Sequence, residues 1–300
     1  MASGATRNPL KWITGKLTDA AIGLLTKPLK SYELHIANDI VALRRHVHPG
    51  DVILVEGNER ISQCIKYLTQ SSWSHSAIYI GDAYLRRHPE KKAELHKEFG
   101  EDAAHLLVEA LVDQGVILAP MSKYRNFNLR VCRPFRLSSA DGAEVIDEAL
   151  RSVGDTYDVR NVVDLARYFL PVSLVPARLR RKALQFGSGE PTRVICSSLI
   201  AGCFARVRFP IIPKYEQTPE GEPIAVTKVR KLWPIGSKAT QHQALGRLRM
   251  VSPTLVTPRD FDLSPYFEII KFNIIESMRF DYRKIQWADD QPSAEVKKGA

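Results

Sequence analysis

Ser74-His75-Ser76-Ala77-Ile78-Tyr79-Ile80-Gly81-Asp82 is the stretch on which the fold turns. A β-branched and aromatic run that ends on Gly-Asp reads as a strand entering a turn. Side chains alternate along a strand, so His75, Ala77 and Tyr79 share one face and Ser76, Ile78 and Ile80 the other. A histidine at the start of such a strand can face a cleft, although a lone histidine is more often a hydrogen-bonded structural residue.

Upstream, the turn cluster His48-Pro49-Gly50-Asp51 introduces a second apolar run, Val52, Ile53, Leu54 and Val55, which predicts another strand. Between the two, Ile61 to Leu68 has helical character. Downstream, Leu106 to Leu111 and Val116 to Leu118 are strand-like and are separated by Asp113-Gln114-Gly115 in the manner of a hairpin. Glu109 is the only carboxylate inside the first of these. A charge there needs a partner, because an unpaired buried carboxylate is costly. A neighbouring strand that brought Glu109 to the second ring nitrogen of His75 would meet that need.

Further on, Asn128 to Arg133 predicts a short strand and Ala140 to Ser152 a helix with apolar Val145, Ile146, Ala149 and Leu150. Gly154-Asp155-Thr156-Tyr157-Asp158 follows as a turn. Arg193 to Val207 predicts a helix after Pro191 and a Thr192 cap. Cys196 lies where that helix begins, so unpaired backbone N–H groups, the helix dipole and the charge of Arg193 all favour its thiolate. The plain alternative is a small buried residue, which is the expectation for Cys203 one heptad later. Phe267 to Phe272 is the last strand expected, after a long Pro- and Lys-containing stretch up to Met250.

The order of these segments is itself informative. Gly50-Asp51 with its apolar strand, then Ser74 to Gly81, Val108-Glu109-Ala110, Gly154-x-x-Tyr157-Asp158 and Cys196-Ser197-Ser198-Leu199 resembles the permuted branch of the NlpC superfamily, the papain-like amidases of the YiiX and YebB type. Thr257-Pro258-Arg259-Asp260-Phe261 and Ser264-Pro265-Tyr266-Phe267-Glu268 resemble that family's last strand and its approach. In ordinary papain-like enzymes cysteine precedes histidine; here the order is reversed. The resemblance implies an α+β, permuted papain-like fold: an antiparallel, partly barrel-like sheet with helices packed on it. It implies Cys196 as nucleophile, His75 as base and Glu109 as the residue that orients the ring. It also places Tyr157, Ser197 and Arg193 near the substrate. Ser198 stands where the family commonly has glutamate. No cofactor is required by such chemistry.

The implied organisation is a basic amphipathic helical extension over 1–44, a hydrolase domain over 45–275 with insertions near 171–190 and 208–250, and a polar tail over 276–300. The extension carries Leu10, Ile13, Leu17 and Leu24 at helical spacing among Lys11, Lys16 and Lys27. Such a helix either packs on the domain or lies on an anionic membrane surface.

Composition narrows the remaining choices. The chain has 300 residues, 44% apolar and 25% charged, with a formal charge of +10, which favours acidic partners without choosing among them. Four cysteines without a C-x-x-C pair suggest neither a disulfide framework nor a zinc ribbon. His46 and His48 form an H-x-H pair at a turn without a carboxylate at ligand spacing, so no metal is expected. The basic runs at Arg178 to Lys182 and Lys228 to Lys231 come without a nucleic-acid fold signature. With no apolar run long enough for a membrane span or a secretory signal, a cytoplasmic protein, peripheral on a membrane at most, is expected. Three functions remain open: an amide hydrolase acting on a peptide or peptidoglycan-type bond, a lipid acyl hydrolase or acyltransferase, and a catalytically silent membrane-binding scaffold.

Overall fold

A computed structural model describes residues 38–112, 114–156, 195–217, 223–232 and 236–271, together with Gly23, Lys27 and Pro28. The expectations for the N-terminal extension, the 171–190 insertion and the C-terminal tail lie outside the described residues.

Helix α1 (Ile40–His46) is capped by Asp39, whose carboxylate accepts from the N–H groups of Val41 and Ala42. Leu43, fully buried on its inner face, joins a cluster with Ile53, Val55, Ala77, Tyr79 and Leu107. Ile40 joins the same cluster. The turn His48–Asp51 leads into β1 (Val52–Val55), all four residues of which are buried. Helix α2 (Arg60–Thr69) follows, ending on Gln70 in the left-handed conformation.

Strand β2 (His75–Gly81) runs antiparallel to β1, with Leu54 opposite Ser76 and Val55 opposite His75. Two short helices, α3 (Ala83–Arg87) and α4 (Lys92–Phe99), lead to β3 (Leu106–Leu111), which forms a hairpin with β4 (Gly115–Pro120). Strand β5 (Leu129–Pro134) pairs with the other edge of β1. After α5 (Ser139–Arg151), α6 (Ile195–Arg206) and α7 (Pro258–Leu263), β9 (Phe267–Ile270) adds to β5. The sheet order is β4-β3-β2-β1-β5-β9, antiparallel throughout and open at both edges.

The fold is α+β, with helices packed on an antiparallel sheet that is not closed into a barrel among the described residues. Both faces of the sheet are covered, as the alternation in β2 predicts. Ile78 and Ile80 join Val108, Ala110, Val145, Ala149, Ile200 and Phe204 beneath α5 and α6, whereas Ala77 and Tyr79 belong to the cluster that α1 covers. Full burial of Ile200 and Phe204 supplies about 1.5–3 kcal/mol each, which anchors α6 to the sheet.

The Pro- and Lys-containing stretch near 208–250, to which the sequence reading assigned no elements, holds a three-stranded antiparallel sheet. It comprises β6 (Lys214–Gln217), β7 (Pro223–Leu232) and β8 (Gly236–Arg249), in the order β6-β8-β7. Lys, Arg, Thr and Gln dominate β7 and β8, so the apolar alternation that reveals a half-buried strand is faint there.

Candidate active site

Cross-strand register explains how His75 and Glu109 meet. Glu109 pairs directly with Ala77, which makes His75, two residues earlier, its diagonal neighbour on the same face. The separation suits two long side chains. His75 Nε2 lies 2.7 Å from Oε2 of Glu109. Its other nitrogen is thereby left free to face Cys196, whose charge acts on the ring. Cys196 is the second residue of α6, so the helix start delivers the thiol and leaves its own unpaired N–H groups nearby. Tertiary structure thus joins Cys196, His75 and Glu109, which are widely separated in sequence.

The carboxylate of Glu109 is fully buried and takes donors from two further residues that the sequence did not single out. Lys123 Nζ lies 2.5 Å from Oε1, and the Tyr124 hydroxyl donates to Oε2. Both stand in the turn of 3-10 helix, Met121–Tyr124, that follows β4. The Asn38 side-chain amide holds this turn by donating to the carbonyl of Tyr124 at 3.2 Å. A Lys-Tyr pair after a strand carries no motif, and only the hairpin's return beside β2 gives it meaning.

The electrostatics follow from these contacts. Burial by itself would push Glu109 up, but the hydrogen bond and charge of His75, reinforced by Lys123, hold it down at about 2. Burial would weaken His75 as a base, yet the charge and hydrogen bond of Cys196, with those of Glu109, raise the ring to about 10. Burial pushes the Cys196 thiol up as well; the His75 charge and hydrogen bond, aided by the N–H and hydroxyl of Ser76, bring it net below its ordinary value. The combination favours a thiolate–imidazolium pair at neutral pH. Burial raises Cys203 to about 12 and pushes Cys132 well above the usual thiol range, so neither resembles Cys196. The side chain of Cys64 lies outside the described residues.

Ser197 is fully buried and donates to the carbonyl of Val256 at 2.6 Å, which ties α6 to the loop ahead of α7. Tyr157 and Arg193 lie outside the described residues. His46 and His48 make local contacts: a His46 ring nitrogen meets the Ala42 carbonyl, and the His48 N–H donates to Asp51. Among the described residues no group of three or more His, Cys, Asp or Glu is placed to hold a metal ion, and no helix is long and apolar enough to cross a membrane.

Comparison with known proteins finds a family model and solved structures that resemble the chain. Residues 46–169 match a family model described as "permuted papain-like amidase enzyme, YaeF/YiiX, C92 family". The matched segment includes His75 and Glu109 and ends before Cys196. A solved structure entitled metalloprotein yiiX from Escherichia coli O157:H7 is 12% identical, covering 75% of this chain and 97% of that one, with a TM-score of 0.39. No curated protein matches the chain.

Proposed function

We propose that this chain, which matches the permuted papain-like amidase model over residues 46–169, is a cysteine hydrolase that cleaves an amide bond through a thioester on Cys196. The observation that carries the reading is a histidine with one ring nitrogen 2.7 Å from a buried carboxylate, beside a cysteine whose pKa its charge lowers.

The steps follow from the parts. The Cys196 thiolate attacks the amide carbonyl carbon, and the carbonyl π electrons move onto oxygen. N–H groups at the start of α6 are positioned to support that oxyanion. The protonated His75 gives the proton on its Cys196-facing nitrogen to the leaving nitrogen. The C–N bond then breaks, amine departs and the thioester remains. In the second half the now neutral His75 takes a proton from water, the hydroxide adds to the thioester, and collapse returns the thiolate with release of a carboxylic acid. Glu109 accepts the hydrogen bond of the Nε2–H throughout, which keeps the ring in one orientation and stabilises its charge.

The test is a panel of peptide amides and acyl esters assayed with the wild-type chain, C196A and H75A, with mass spectrometry of C196-bound adducts. Amide cleavage abolished in both variants, with an acyl adduct on Cys196, is the expected result. Ester cleavage without amide cleavage would redirect the reading to a lipid acyl hydrolase. Retention of activity in C196A would end it.

A further inference from the structure

The three-stranded sheet carries charge of one sign. From Pro223 to Arg249, the stretch that holds β7 and β8, the sequence has six cationic residues, Lys228, Arg230, Lys231, Lys238, Arg247 and Arg249, and no Asp or Glu. Register sets like charges directly opposite each other twice, Arg230 across from Lys238 and Lys214 across from Arg249. Such pairs destabilise a sheet in water, and an anionic surface laid against them offsets that cost. The second observation is apolar. Tyr215 and Leu248, cross-strand partners in β6 and β8, are 40% and 55% exposed, and Met250, just past the end of β8, is 39% exposed. Met250 also lines an apolar pocket with Ala201 and Ala205 of α6, Phe209, Ile212 and Pro253. Successive residues of a strand alternate between faces, so positions 228, 230 and 238 fall on the same face as Tyr215 and Leu248. One face thus joins cationic positions to an exposed apolar foot.

We infer that this face of the β6-β8-β7 sheet docks on an anionic lipid bilayer, with Lys228, Arg230 and Lys238 at the headgroups and Tyr215, Leu248 and Met250 entering the boundary with the acyl chains. A nucleic acid would match the charge, but phosphates gain nothing from Leu248 and Met250. A bilayer rewards both features, because headgroup attraction and buried apolar area add. None of these residues belongs to the Cys196, His75 and Glu109 centre, so the inference goes beyond the proposed reaction and stands without it.

The experiment sediments the full chain with vesicles of phosphatidylcholine alone and of phosphatidylcholine mixed with phosphatidylglycerol, at low and high salt, and measures its affinity for a single-stranded oligonucleotide alongside. The expected result is binding to the mixed vesicles, little to the neutral ones, and weakening as salt rises. K228Q/R230Q/K238Q lowers the affinity for mixed vesicles roughly a hundredfold. Y215S/L248S, which keeps every charge, lowers it about tenfold. Both variants keep the wild-type thermal transition and the wild-type rate of Cys196 alkylation. If the triple variant fails to fold, K228Q and K238Q singly take its place, each with a loss of about fivefold. Mixed-vesicle binding that the charge variants leave intact overturns the inference and moves the contact to another part of the chain. Oligonucleotide binding tighter than vesicle binding, with Y215S/L248S leaving vesicle binding unchanged, overturns it in favour of a nucleic-acid surface. A wild-type chain that binds neither kind of vesicle, or both equally, also overturns it and leaves the proposed hydrolase untouched.

Discussion

Replacing Glu109 by glutamine keeps the shape of the side chain and removes its charge from the centre of three donors. Those donors are the His75 ring, Lys123 and Tyr124. Glutamine has one acceptor oxygen where the carboxylate has two, and its NH2 must then face a group that is itself a donor. Two routes give the size of the effect. The displacement of Glu109 from 4.5 to about 2, at about 1.4 kcal/mol per unit, corresponds to about 3 kcal/mol. Breaking a buried pair by removing one partner costs about 3–5 kcal/mol, and the lower end applies because the Lys123 side chain, about one-third exposed at 35%, can turn its charge to water. For a domain of this size about 3 kcal/mol amounts to a fall in Tm of about 6–12 °C.

The pH dependence carries the more specific signature. A carboxylate whose folded pKa is depressed stabilises fully above its unfolded value of 4.5, and that contribution is lost as pH falls towards about 2. The gap between wild type and E109Q, read by denaturant melts from pH 7 down to pH 2.5, is therefore constant above about pH 5 and closes in acid. E109Q should also lose most amide-hydrolase activity, because the Nε2 proton of His75 loses its acceptor. A variant as stable as wild type at pH 7, or a gap that persists unchanged to pH 2.5, would refute the account of Glu109 as the buried anionic anchor of His75.

The other expectations concern the same site and its frame. Iodoacetamide at mildly acidic pH should alkylate Cys196 well before the buried Cys132 and Cys203, and the preference should shrink in H75A; equal slow labelling of these cysteines by mass spectrometry would count against a poised thiolate. His75 is raised above its ordinary 6.5, so its contribution to stability is full below that pH and is lost as pH rises through about 10; hydrolysis should fall over the same alkaline limb, and E109Q should move that limb to lower pH. Tyr124→Phe removes one donor to Glu109 and leaves the phenyl packing, so a loss of about 1–2 kcal/mol is expected in urea melts, with a drop in kcat larger than any change in KM. Gly115→Ala places a side chain at a φ of 73° and against the Asp155 carbonyl, and thermal unfolding should show it to be clearly destabilising, whereas Gly142→Ala in α5, where a Cβ meets only ordinary contact with Leu137, should not be.

The amino-acid sequence by itself determined the local elements and their order. Period-two alternation in β2 assigns Ile78 and Ile80 to one buried layer and Ala77 and Tyr79 to the other, and a single carboxylate in the apolar run Leu106–Leu111 announces a partner. A cysteine at the start of a helix signals a thiol of unusual acidity whatever the fold around it. These features are legible because hydrophobic periodicity, helix starts and the cost of buried charge act over a few residues. Tertiary structure alone decided the rest. Only the register of β2 against β3 makes Glu109 the diagonal neighbour of His75, and only the return of the β3–β4 hairpin sets Lys123 and Tyr124 beneath the carboxylate. Ser197, adjacent to the candidate nucleophile in sequence, donates to Val256, while Glu109, 34 residues from His75, meets its ring. The reason is geometric: one residue along a helix rotates a side chain by about 100°, so chain neighbours diverge, whereas strand register can set distant residues side by side.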